Sequence, residues 1–73
     1  MGNFNFAQSE WREIEGFPKY EINSLGIVRN KITKVQISTQ VGHIETVKLV
    51  REGRRYLRSV GKLVRTIFPE LYP

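Results

Sequence analysis

The sequence predicts an α+β domain: a small antiparallel β-sheet, a meander of short strands, with one C-terminal α-helix packed on it. Three observations predict it. From Trp11 to Arg58 apolar and polar residues alternate with a period of two, the spacing of half-buried antiparallel strand. Gly and Pro punctuate that alternation at short intervals. From Val60 the period changes: Val60, Leu63, Val64 and Ile67 fall at i, i+3, i+4 and i+7, one apolar stripe of a helix.

Taken in order, residues 1–9 are polar apart from Phe4 and Phe6 and read as a flexible N-terminal tail. Residues 11–14 form a first short strand, and Gly16-Phe17-Pro18 bends the chain. Pro18 has no donor N–H and restricts Phe17, which argues against a helix here. Residues 20–23 are a second strand and residues 27–30 a third, joined by Ser24-Leu25-Gly26. Gly26 takes a positive φ in that turn at no steric cost. Trp11, Ile14, Tyr20, Ile22 and Val28 are the inward residues of this stretch; Glu13, Glu15, Glu21 and Arg29 fall between them and point outward.

Residues 31–33 are a loop. Residues 34–39 alternate Val35 and Ile37 with Lys34, Gln36 and Ser38, a fourth strand. Val41-Gly42-His43 turns the chain into a fifth strand, residues 44–50, with Val47 and Leu49 inward. Arg51-Glu52-Gly53-Arg54 is a hairpin turn into residues 55–58, the sixth and most basic strand. Ser59 is a good N-cap for a helix from Val60 to about Phe68. Lys62 and Arg65 lie off the apolar stripe, Gly61 weakens the first turn, and Pro69 stops the helix. A helix this short needs the sheet to pack against. The expected core is Trp11, Tyr20, Val28, Val47, Leu57, Leu63, Val64 and Ile67. Residues 10–70 thus make one sheet-plus-helix binding domain, and residues 71–73 a short C-terminal tail.

The chain has 73 residues and no cysteine, so the core is small and no disulfide or thiolate metal site supports it. No apolar run reaches membrane-spanning length, and the N-terminus lacks the pattern of a signal peptide. The net charge is +5, unevenly spread: residues 1–25 carry −2 and residues 26–73 carry +7. A field oriented in this way attracts polyanions or an acidic protein surface.

The basic residues concentrate on one hairpin. Lys48, Arg51, Arg54, Arg55 and Arg58 lie on two adjacent strands and their turn, and Arg29, Lys31 and Lys34 extend the strip. A two-stranded ribbon fits the DNA major groove, where Arg pairs bidentately with guanine or phosphate. Tyr56, between Arg55 and Arg58, adds a stacking group. The competing reading is that these arginines cover an apolar sheet face with their stems and keep it soluble.

The catalytic inventory is nearly empty. There is one histidine and no aspartate. His43 sits alone in a turn, and the glutamates have no metal-loop spacing. Glu13 and Glu15, two apart, read as a solvated strand face rather than a carboxylate pair. The expectation is a non-enzyme with no cofactor and no metal.

The stretch Trp-Arg-Glu-Ile-Glu-Gly-Phe followed by Tyr-Glu-Ile-Asn-Ser-Leu-Gly-Ile-Val-Arg resembles the opening of the modular DNA-binding domain at the N-terminus of phage HNH homing endonucleases. That domain closes with a glycine turn, a basic strand and a short helix ending in Phe-Pro. Gly53-Arg54-Arg55-Tyr56 and Leu63-Val64-Arg65-Thr66-Ile67-Phe68-Pro69 match that closing. The resemblance covers residues 11 to 69. Where the family often carries a histidine just ahead of the closing Leu-Val, this chain has Gly61, so a role tied to that histidine is in doubt. In length, basicity and module type the chain also resembles the small phage regulators that bind bacterial host RNA polymerase. This second resemblance implies a monomeric, non-catalytic transcription regulator in the bacterial host cytoplasm, acting on initiation or termination. That regulator is the expected function; the first resemblance carries the alternative, a freestanding DNA-binding module derived from or assisting an HNH homing endonuclease.

Overall fold

A computed structural model describes residues 10–72. The expected tail with Phe4 and Phe6, and Pro73 of the expected C-terminal tail, lie outside the described residues. Among the described residues, seven short strands and one helix follow in order: β1 (Trp11–Ile14), β2 (Phe17–Asn23), β3 (Val28–Asn30), β4 (Gln36–Ile37), β5 (Thr39–Gln40), β6 (Thr46–Arg51), β7 (Arg54–Ser59) and α1 (Val60–Ile67). Pro69–Leu71 adds a short 3-10 turn, so part of the expected C-terminal tail is ordered. All strand pairs are antiparallel, and the helix packs on them, so the fold class is α+β.

The meander is divided into two sheets, one ordered β1-β2-β3-β4 and the other β5-β6-β7. The expected fourth strand, residues 34–39, is where the division falls. Lys34 adopts φ 67° and Val35 is 61 % exposed, so pairing begins only at Gln36 and passes to the second sheet beyond Ser38. The Gly16-Phe17-Pro18 bend is also tighter than expected. Glu15 and Gly16 alone make the turn, and Phe17 and Pro18 already belong to β2. Pro18 is tolerated because the β1–β2 register shifts between Glu13–Glu21 and Ile14–Phe17, which leaves Pro18 without a paired partner in that ladder.

The core lies where both sheets meet the helix. Ile14, Phe17, Ile22 and Val28 come from the first sheet, Val47 and Leu49 from the second, and Val60, Val64 and Phe68 from the helix and its end. Tyr20, Leu63 and Ile67 pack against it half-buried. The Tyr20 hydroxyl accepts from the Val50 N–H at 3.2 Å, tying β2 to β6.

Leu57 departs from the expected core: it is 55 % exposed. Its cross-strand partner is Lys48, so it shares the outer face of the hairpin, while Tyr56 opposite Leu49 turns inward. Glu21, expected outward, is buried, because β3 and the loop after it fold over it.

The helix starts as its cap residue dictates. Ser59 Oγ accepts from the Lys62 N–H at 3.2 Å. At the other end the Phe68 N–H reaches Val64 O at 2.8 Å, and Arg12 Nη1 donates to Ile67 O at 2.7 Å. The same guanidinium lies 4.3 Å over the Phe68 ring and 2.6 Å from Glu70. One side chain of β1 thus fixes the helix end to the sheet. Hydrogen bonds donated to Glu70 and Glu10 raise the Arg12 pKa, and accepting the bond from Arg12 lowers that of Glu70.

The Ser24-Leu25 turn is held by Asn23, whose buried Oδ1 accepts from Leu25 N at 3.1 Å and Ile27 N at 2.9 Å. Gly26 has φ +86°, and a Cβ there would come within 2.8 Å of Val60 Cγ1. The close approach of this turn to the helix therefore requires glycine.

Candidate nucleic-acid interface

The β6–β7 hairpin carries most of the sequence-predicted cations. Glu52 and Gly53 form its two-residue turn with φ 53° and 78°, the left-handed pair that suits the twist of the flanking strands. Pairing fixes which face each side chain takes, because residues directly opposite share a face. Lys48 faces Leu57 and Val50 faces Arg55, so these four make the outer face. Arg51 faces Arg54, Leu49 faces Tyr56 and Val47 faces Arg58 on the inner face.

The predicted cluster is therefore split between two faces. On the inner face, Tyr56 packs edge-to-face on Phe17 with ring centroids 5.4 Å apart. Arg51 lies 4.7 Å from the Tyr56 ring and 5.0 Å from Phe17; Arg58 lies 5.3 Å from both. Arg51 Nη1 also donates to Gly16 O at 2.8 Å and Arg58 Nη1 to Leu57 O at 2.9 Å. Tyr56 is half-buried against Phe17, so one edge of its ring is already engaged.

Lys48 and Arg55 are exposed on the outer face, and Arg54 is exposed beside the turn. Among the described residues, none of the three forms an ion pair. Val50, 43 % exposed, and Leu57 lie between the two outer-face cations. The sequence alone places Leu57 in the core and gives Val50 no role in a site. Their signal is the strand phase: an inward Val47 and Leu49 force Lys48 and Val50 outward.

Arg29, Lys31 and Lys34 are placed elsewhere, on the outer surface of the first sheet. Arg29 Nε lies 2.6 Å from Glu21 Oε2 and its guanidinium 3.6 Å over the Trp11 ring. Lys34 is 3.4 Å from the same Glu21 oxygen, and Lys31 is 2.6 Å from Glu13. The pairing explains the arrangement. Glu13 and Glu21 stand directly opposite on β1 and β2, a repulsive placement that these cations neutralise. Burial pushes the Glu21 carboxyl up, but hydrogen bonds from Arg29 and Lys34 outweigh it and leave it below the ordinary range. Glu13 in turn raises the Lys31 pKa.

Lys62, off the apolar stripe of the helix, joins Arg58, Ser59, Leu63 and Thr66 around a cleft of about 170 Å³. A second groove of about 320 Å³ runs beneath the hairpin tip, between Phe17, Pro18, Lys19 and Val50, Arg51, Glu52. Among the described residues, no group of three or more His, Cys, Asp or Glu could hold a metal. No helix among them is long and apolar enough to cross a membrane.

No protein-family model and no curated protein matches this chain. Among solved structures it is similar to the HNH homing endonuclease I-HmuI, reported for DNA binding and cleavage, with a TM-score of 0.71 and 22% identity. The match covers 78% of this chain and 34% of that one, so this chain spans about a third of that enzyme's length. At this identity the likeness establishes a shared fold.

Proposed function

We propose that this chain is a non-catalytic DNA-binding module of the kind carried by HNH homing endonucleases, and that it grips duplex DNA through the β6–β7 ribbon. One observation carries the reading. On a fold shared with part of a DNA-binding endonuclease, the hairpin presents Lys48, Arg54 and Arg55 exposed and free of ion pairs among the described residues. A two-stranded ribbon has the width of the major groove, and cations there neutralise phosphates or donate to guanine. Arg51 and Arg58 stiffen the ribbon from its inner face, each over Phe17 and Tyr56. Arg29, Lys31 and Lys34 serve the fold, by neutralising Glu13 and Glu21, more than they serve a ligand.

A second reading takes bacterial RNA polymerase as the partner, with the chain as a transcription regulator. What supports it is the +7 charge after Gly26 together with the apolar pair Val50 and Leu57 exposed between cations, a mixture suited to a protein surface. The same experiment separates the two. Labelled protein is titrated with duplex DNA, with purified polymerase, and with both, across a salt series. Steeply salt-dependent duplex binding, lost on reversing Arg54, Arg55 and Arg58 to Glu, is the expected result. Tight binding to polymerase without DNA, alongside no binding to naked duplex, would replace the first reading by the second.

A further inference from the structure

We propose that the free edge of β7 takes up an acidic, extended segment of a partner protein as an added strand. β7 is the outer strand of the β5-β6-β7 sheet and, at six residues, long enough to pair. Its backbone parity follows from the turn. A two-residue loop makes Arg51 and Arg54 a hydrogen-bonded pair, and bonded and non-bonded pairs alternate from there. Leu49–Tyr56 and Val47–Arg58 are then bonded, while Val50–Arg55 and Lys48–Leu57 are not. The N–H and C=O groups of Arg55 and Leu57 therefore point away from β6. The partner strand obeys the same parity: the Val50 N–H, turned away from β7, finds the Tyr20 hydroxyl.

Among the described residues, no acceptor meets the outward N–H groups of Arg55 or Leu57. The Leu57 carbonyl is covered only by the side chain of Arg58, which can swing aside. An incoming strand would place alternate side chains on the two faces of the sheet. On the inner side it runs past Arg54 and Arg58 and over the cleft floored by Leu63 and rimmed by Arg58 and Lys62. On the outer side it meets Arg55 and Leu57. The chemistry asked of the occupant is acidic residues interleaved with apolar ones. A second copy of β7 does not supply that chemistry, since its six residues carry three arginines and no acid.

The test uses the intact, nitrogen-15-labelled chain and a synthetic peptide alternating Glu and Val, against the same peptide with Lys for Glu. The Glu peptide should slow amide exchange at Arg55 and Leu57. Leu57→Pro removes one outward N–H without touching the β6–β7 ladder, a position where an edge strand accepts proline. It should weaken peptide binding by about threefold to tenfold, the worth of one backbone hydrogen bond. If Leu57→Pro fails to fold, protection in the unmodified chain decides alone. Protection confined to other residues, equal binding of the Lys peptide, or undiminished binding by folded Leu57→Pro would overturn the proposal. So would protection of these amides by duplex DNA with none from the peptide, which would assign the edge to nucleic acid.

Discussion

Neutralising the hairpin cations that form no ion pair among the described residues gives the sharpest test of the DNA reading. The perturbation is Lys48→Gln, Arg54→Gln and Arg55→Gln combined. Each phosphate neutralised contributes about −0.9 to the slope of log K against log salt on duplex DNA. The three side chains form no ion pair among the described residues, so nothing intramolecular competes for them. Their removal should flatten the slope by up to about 2.7, so that roughly fortyfold of the affinity lost over a fourfold rise in salt disappears. The matched control is Arg29→Gln, Lys31→Gln and Lys34→Gln, which deletes the same charge from the other sheet. Those cations already answer Glu21 and Glu13, so the slope should change little. Stability should fall instead, because the buried Glu21 is left unpaired. The assay is anisotropy of a labelled duplex across a salt series, with a thermal melt of each variant. Equal flattening by both triples would refute the division of the cations into free and committed sets.

Three further outcomes follow from the packing. Phe68→Ala should cost about 3–5 kcal/mol in a urea melt, whereas Leu57→Ala should stay within about 0.5 kcal/mol; similar costs for both would put β7 in the wrong phase. Gly26→Ala should lower the melting temperature, since its φ is +86° and its Cβ would meet Val60 at 2.8 Å; an unchanged melt would show that the turn does not seat against the helix. Glu21 has a folded pKa below its ordinary value of 4.5, so its stabilising contribution is present above that value and is lost as pH falls through the folded pKa. Urea midpoints of the unmodified chain and Glu21→Gln should therefore converge on acidification, and a constant gap would remove Glu21 from the ion network.

What was legible in the sequence was whatever depends on neighbours along the chain. Ser59 caps the helix because a hydroxyl three residues ahead of a free N–H can reach it. Val47 and Leu49 face inward because period two puts them there. Glu52-Gly53 turns because glycine admits the required φ. What depends on partners distant in sequence was not legible. Leu57 is expected in the core as the apolar residue of a basic strand, but strand phase is set by the partner. With Leu49 inward, its opposite number Tyr56 must be inward and Leu57 outward. Arg12 looked like one charge among several; its grip on Ile67 O, Phe68 and Glu70 spans more than fifty residues of chain. The candidate site follows the same rule. A list of cations ordered by sequence merges Arg29, Lys31 and Lys34 with the hairpin set, since nothing local says that Glu13 and Glu21 will stand opposite each other and need them. Charge counts therefore overstate the binding strip, and pairing corrects the count. Of the cations that remain available, Lys48 and Arg55 stand opposite the apolar Leu57 and Val50, and Arg54 stands opposite Arg51, so no acid on the facing strand answers any of them.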